Sequence, residues 1–143
     1  MRWARNFAES NPKNYQIWHH RLALTSMAPH LVSEELRRIL IDLESQPKNY
    51  HAWQYRQWLL KTQGGSLQNE LEMIHELLRL DPYNNSAWNH RYFVLFSGVF
   101  PLDKDESWWE SEIAFVNDRL SIDETNQSIL LYLEEIKAIQ NKR

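Results

Sequence analysis

The chain has 143 residues and a formal net charge of −3. At that length it is sized for one domain with a real core, and it lacks the basic field that a nucleic-acid backbone requires. The absence of cysteine excludes disulfides, thiolate zinc sites and a cysteine nucleophile. Seven Trp and six Tyr beside only three Gly and five Pro favour long packed helices over short strands and turns. No apolar run approaches the roughly 20 residues of a membrane span, and the first six residues lack the apolar core of a signal peptide, so a cytoplasmic protein is expected.

In chain order, Trp3 and Phe7 stand four apart and predict a short capping helix within residues 1–11. There follows Pro12-Lys13-Asn14-Tyr15-Gln16-Ile17-Trp18-His19-His20-Arg21, with a near-copy at Pro47-Lys48-Asn49-Tyr50-His51-Ala52-Trp53-Gln54-Tyr55-Arg56 and a looser one at Pro82-Tyr83-Asn84-Asn85-Ser86-Ala87-Trp88-Asn89-His90-Arg91. Pro, Trp and Arg each recur every 35 residues, a period that marks stacked supersecondary units. Asn14 is placed to cap a first helix running to about Ser26. Pro29 breaks it, Ser33 is expected to cap the next, and Leu36, Ile39 and Leu43 follow at helical spacing.

The second unit repeats this plan. Asn49 caps a helix to about Thr62, Gly64-Gly65-Ser66 makes the turn, and Leu71, Ile74 and Leu78 lie on the second helix. In the third unit a longer loop, Ser97–Asp103, precedes Ile113, Val116 and Leu120, which match their counterparts at an offset of 42, a seven-residue insertion. A final helix from about Thr125 keeps the pattern with Leu130 in place of the Trp and Leu133 in place of the Arg, as an end unit of a solenoid requires. The expectation is an all-α, right-handed helical-hairpin solenoid (an α-α superhelix) forming one domain over 1–143. It comprises an N-terminal cap 1–11, repeats 12–46, 47–81 and 82–122, and a degenerate cap 123–143.

Trp18, Trp53 and Trp88 are expected to fill the space between units. Arg21, Arg56 and Arg91 are expected to pair with the acids in register with them, Glu35, Glu70 and Glu112, because a planar guanidinium suits a partly buried bidentate carboxylate. The six His offer no convergent metal set: His19 and His20, being adjacent, point about 100° apart on a helix. No nucleophile-elbow pattern supports a catalytic triad. At the start of each first helix the units differ: Lys13, Tyr15 and Gln16, then Lys48, Tyr50 and His51, then Tyr83, Asn85 and Ser86. Helix N-termini carry unpaired N–H groups and positive potential, so these residues are either donors to an anion along one rim or packing aromatics with solvated lysines.

The three worded copies resemble successive repeats of the α subunit shared by protein farnesyltransferase and type I geranylgeranyltransferase, over about residues 11–135. The α subunit of Rab geranylgeranyltransferase is a weaker match to the Lys-Asn-Tyr-Gln and Lys-Asn-Tyr-His wordings. The resemblance implies a crescent of helical hairpins embracing a β subunit, in an enzyme active only as the heterodimer. It would transfer a prenyl group from farnesyl or geranylgeranyl diphosphate to the cysteine of a CaaX-terminated protein. By motif position, Lys13 and Tyr15 are the implied catalytic contacts to the diphosphate, and Gln16 resembles the glutamine that binds the CaaX carboxylate. Asn49, Tyr50 and His51 complete the implied substrate-binding set. No metal is expected on this chain: zinc, with magnesium as a further candidate, is implied through the β subunit. Family α subunits are longer, with an extended N-terminal region and more repeats. The alternative is a non-enzymatic helical-repeat scaffold that binds a protein through its concave face.

Overall fold

The computed structural model describes residues 31–142, which form six helices: α1 (Val32–Ser45), α2 (Tyr50–Gln63), α3 (Leu67–Leu80), α4 (Asn85–Phe96), α5 (Glu106–Ile122) and α6 (Gln127–Asn141). No strand occurs among these residues. The expectations for residues 1–30, among them the Asn14 cap and the Arg21 pair, lie outside the described residues.

The backbones approach most closely between α1 and α2, α3 and α4, and α5 and α6, while α2, α4 and α6 stack in a row. The tight hairpin is thus offset from the sequence repeat by one helix: it joins the second helix of one unit to the first helix of the next. The four-residue turns between units draw those helices together, whereas the two helices within a unit are spaced by long side chains. The apolar triplets supply the centre, with Ile39, Leu43, Ile74, Leu78 and Val116 all fully or almost fully buried.

The caps follow local chemistry. Asn49, Asn84 and Asn126 each accept backbone N–H groups of the first turns of α2, α4 and α6, and Ser66 and Asp105 do so for α3 and α5. Ser33 does not cap α1, which already begins at Val32, with Leu31 before it and no side-chain cap bond. The last helix likewise starts at Gln127 rather than Thr125, because the cap is Asn126. The turn between α2 and α3 needs its glycines. Gly64 has φ +80°, and a Cβ on Gly65 would lie 2.6 Å from Leu60 Cδ2. Phe100, from the seven-residue insertion, is buried near the same glycine.

Two networks tie one unit to the next. In the first, the carbonyl of Pro47 accepts from Trp53 Nε1 at 2.7 Å in its own unit and from Asn84 Nδ2 at 3.4 Å in the following one. The carbonyl of Pro82 accepts likewise from Trp88 (3.4 Å) and Asn126 (2.9 Å). In the second, Arg56 donates to both oxygens of Glu70 at 2.8 and 2.7 Å, and Arg91 to both oxygens of Glu112 at the same distances. Each acid then accepts a further bond from the next unit: Tyr55 to Glu35 (3.1 Å), His90 to Glu70 (2.8 Å) and Tyr132 to Glu112 (2.5 Å). These carboxylates are almost fully buried, so their partners are obligatory.

Burial pushes the Glu70 carboxyl up, but the hydrogen bonds from His90 and Arg56 and the charge of Arg56 outweigh it and hold its pKa at about 2, from 4.5. With Glu70 ionised, His90 is the neutral donor tautomer. Desolvation holds its pKa down, and its buried Nδ1 has no partner among the described residues. His75 Nε2 accepts from Arg91 at 3.0 Å, and burial together with the charges of Arg91 and Arg119 also keeps it neutral.

Arg56→Ala leaves Glu70 buried without its guanidinium and is expected to cost about 3–5 kcal/mol in urea denaturation. An unchanged midpoint would refute the role given to the pair. Acid is expected to weaken the fold in two stages. His75 and His90 are held below their ordinary 6.5, so the unfolded chain takes up protons first as the pH falls, and stability declines below about pH 6.5. It declines again from 4.5 toward 2, where unfolded Glu70 is protonated and folded Glu70 is not. Urea midpoints stepped from about pH 8 to about pH 2.5 check the sign of both stages.

Candidate functional site

The turns 46–49, 81–84 and 123–126, with the N-termini of α2, α4 and α6, line up along one rim of the stack. Lys13, Tyr15 and Gln16 lie outside the described residues. The other three predicted site residues sit together at the start of α2, in different environments. Asn49 is 2% exposed, and its Oδ1 accepts from the backbone N–H of His51 (3.1 Å) and Ala52 (3.4 Å). It therefore shapes the turn from within. Tyr50 is 68% exposed, the most open aromatic position on this rim among the described residues. His51 is half-buried, its ring edge-on to Tyr50 at 5.6 Å.

Tyr50 opens onto a groove of about 390 Å³ between α2 and α4. Lys48, Tyr50 and Gln54 form one wall, Ser86 and Asn89 the other, and buried Trp53 the floor. His51 is not among its walls. The wall residues Gln54 and Asn89 were not singled out from the sequence. The available signal was spacing, since each lies four residues after the first helical position of its unit and so shares a face with it.

The rim is electrostatically uneven. Its second unit presents Lys48, whereas in the third Tyr83 stands at the lysine's place and its hydroxyl donates to Asp123. Asp81 accepts from the backbone of Tyr83 at 3.0 Å and Asp123 from that of Thr125 at 2.9 Å. Hydrogen bonds from Thr125 and Tyr83 hold the Asp123 carboxyl below its ordinary pKa, so that end carries settled negative charge. An anion is therefore favoured beside Lys48 and disfavoured beside Asp81 and Asp123. Among the described residues no group of three or more His, Asp or Glu side chains could hold a metal, and no helix is long and apolar enough to cross a membrane.

The family model described as protein prenyltransferase alpha subunit repeat matches residues 1–28, 33–63 and 67–98, well over half of the chain. A chain of Candida albicans protein geranylgeranyltransferase-I complexed with GGPP superposes with a TM-score of 0.83 at 32% sequence identity, covering 94% of this chain and 46% of that one. This chain therefore spans just under half the length of that relative. Comparison with curated protein sequences finds no match.

Replacing the buried cap tests how far the rim depends on it. Asn49→Ala is expected to lower unfolding free energy by about 1 kcal/mol, within the 0.5–2 range of lost caps, and Asn49→Asp by less. Paired thermal and urea melts of the two variants decide this.

Proposed function

The chain belongs to the protein prenyltransferase α-subunit family, and on that premise we propose that it is the α subunit of a heterodimeric CaaX protein prenyltransferase. The observation that carries the proposal is the match of three successive units to the family's repeat. The likeness to a chain of geranylgeranyltransferase-I supports it. The partner is a β subunit that brings the isoprenoid pocket and the zinc, with magnesium as a further candidate. The complex acts in the cytoplasm, and this chain alone is inactive. The prenyl donor is farnesyl or geranylgeranyl diphosphate. The GGPP bound in the Candida relative makes the geranylgeranyl donor the first to assay.

In this reaction a sulfur–carbon bond forms at the CaaX cysteine as the C–O bond to the diphosphate breaks. The diphosphate leaves with the bonding pair, so negative charge grows on its oxygens. Donors fixed in advance lower the barrier in proportion to that growth. Lys13 and Tyr15 take this role from the first unit, and Tyr50 and His51 from the second, with Asn49 holding their turn. Lys48 adds positive potential on the same side, and Gln16 receives the CaaX carboxylate. Zinc, held by the β subunit, supplies activation of the cysteine sulfur.

Co-expression with a zinc-binding prenyltransferase β subunit is expected to give a stable complex that prenylates a CaaX peptide, with neither chain active alone. Lys13→Ala in that complex is expected to lower kcat on the order of 10²-fold, as for loss of one preorganised donor. Full transfer by the β subunit alone, or no complex between the chains, would turn the assignment to the non-enzymatic scaffold.

A further inference from the structure

Tyr50 is exposed, and an exposed phenol rotates freely unless something directs its hydroxyl. One residue does so: Gln54 Nε2 donates to Tyr50 Oη at 3.2 Å across one helical turn. The direction of this bond decides its chemistry. A phenol has one proton to give, and its oxygen accepts. With the amide N–H occupying the oxygen, the phenolic proton has no reason to turn back toward Gln54 and is left to point into the groove between α2 and α4. Donation into the phenol oxygen also polarises its O–H, making it a stronger donor. A carbonyl in the same place would do the opposite, drawing the proton inward.

The repeats themselves carry a second, independent observation. Four copies of this position can be compared within the chain: Tyr15 with His19, Tyr50 with Gln54, Asn85 with Asn89, and Gln127 with Leu131. Only the first two have tyrosine, and each has a side chain with an N–H donor four residues on. Packing alone explains neither half of this coincidence at Tyr50, since both partners are exposed. The surroundings agree with an anion as the target. Lys48 stands on the same wall as Tyr50 and Gln54, while Ser86 and Asn89 opposite are uncharged.

We infer that Gln54 is a positioning residue, which aims the Tyr50 hydroxyl as a hydrogen-bond donor toward the diphosphate of the prenyl donor. The inference rests on the prenyltransferase assignment and on Tyr50 as a diphosphate contact, and it adds the residue that makes Tyr50 directional. Gln54 acts through Tyr50 and not on substrate, so its removal affects the chemical step more than ground-state binding.

The test is a double-substitution cycle in the assembled complex of this chain with its β subunit, read by single-turnover transfer rate, prenyl diphosphate affinity and melting temperature. Gln54→Met is expected to slow single-turnover transfer about five- to tenfold, the scale of one hydrogen bond, with affinity held within about twofold. Gln54→Glu is expected to slow it at least as far, because its carboxylate accepts the Tyr50 proton. Gln54→His, the residue type at position 19, restores the donor and most of the rate. Tyr50→Phe is expected to be slow, and adding Gln54→Met to it costs nothing more. A wild-type rate for Gln54→Met, or additive losses in the double variant, overturns the inference while leaving Tyr50 in its place. A wild-type rate for Tyr50→Phe overturns the diphosphate contact and the inference with it. A loss that tracks melting temperature across all five variants reduces Gln54 to a surface contact.

Discussion

A buried carboxylate that must be satisfied from two sides is the constraint on which this architecture turns. Glu70 takes a bidentate guanidinium from Arg56 in its own unit and an imidazole N–H from His90 in the next. Glu112 is held in the same way by Arg91 and Tyr132. An ionised carboxylate out of water is tolerated only with its hydrogen bonds complete. Neither unit can therefore shift against its neighbour without stranding a charge. The aromatic contacts follow this register: Trp53 packs on His90 at 4.9 Å and Trp88 on Tyr132 at 5.0 Å. Each Trp thus lies against the residue that closes the next unit's link.

This separates the repeated motif into two parts with different tasks. In the described copies its Asn, Trp and Arg are buried and, with the carbonyl of the Pro, form the links that hold the units together, so they recur in nearly every copy. The residue just after each Asn (Tyr50, Asn85, Gln127) is exposed and takes no part in the Arg–Glu or Pro-carbonyl links, so it is free to differ. Tyr50 is open to solvent, whereas at the neighbouring rim position Tyr83 is tied to Asp123. A uniform scaffold can in this way present a basic, donor-bearing end and an acidic end without changing its packing. An anion is favoured at the first end and disfavoured at the second.

Much of this was legible in the residues. The 35-residue period, the Arg–Glu pairing, the Asn49 cap and the seven-residue insertion follow from spacing, because a repeated unit must repeat its internal contacts. The start of α1 was not legible. Ser33 has the right chemistry for a cap, but the helix already begins at Val32. Nor was the role of the residue before the Arg position of each unit, Leu133 in the last, since Tyr55, His90 and Tyr132 share a function but not one residue type. Their common property is an O–H or N–H at one point in space, which spacing alone does not single out.

By itself the sequence determined the unit, its helices and the family whose wording it carries, because those depend on local periodicity and on side chains close along the chain. The tertiary structure alone decided which helices pair closely: the hairpins straddle the repeat boundary, since the short turns lie between units. It also decided what surrounds the rim residues. Asn49 is buried as a cap, Tyr50 opens on a groove whose far wall comes from α4, and Gln54 donates to its hydroxyl oxygen. Those relations join residues of neighbouring units or depend on which way a side chain turns, and neither is encoded in the order of residues along one helix.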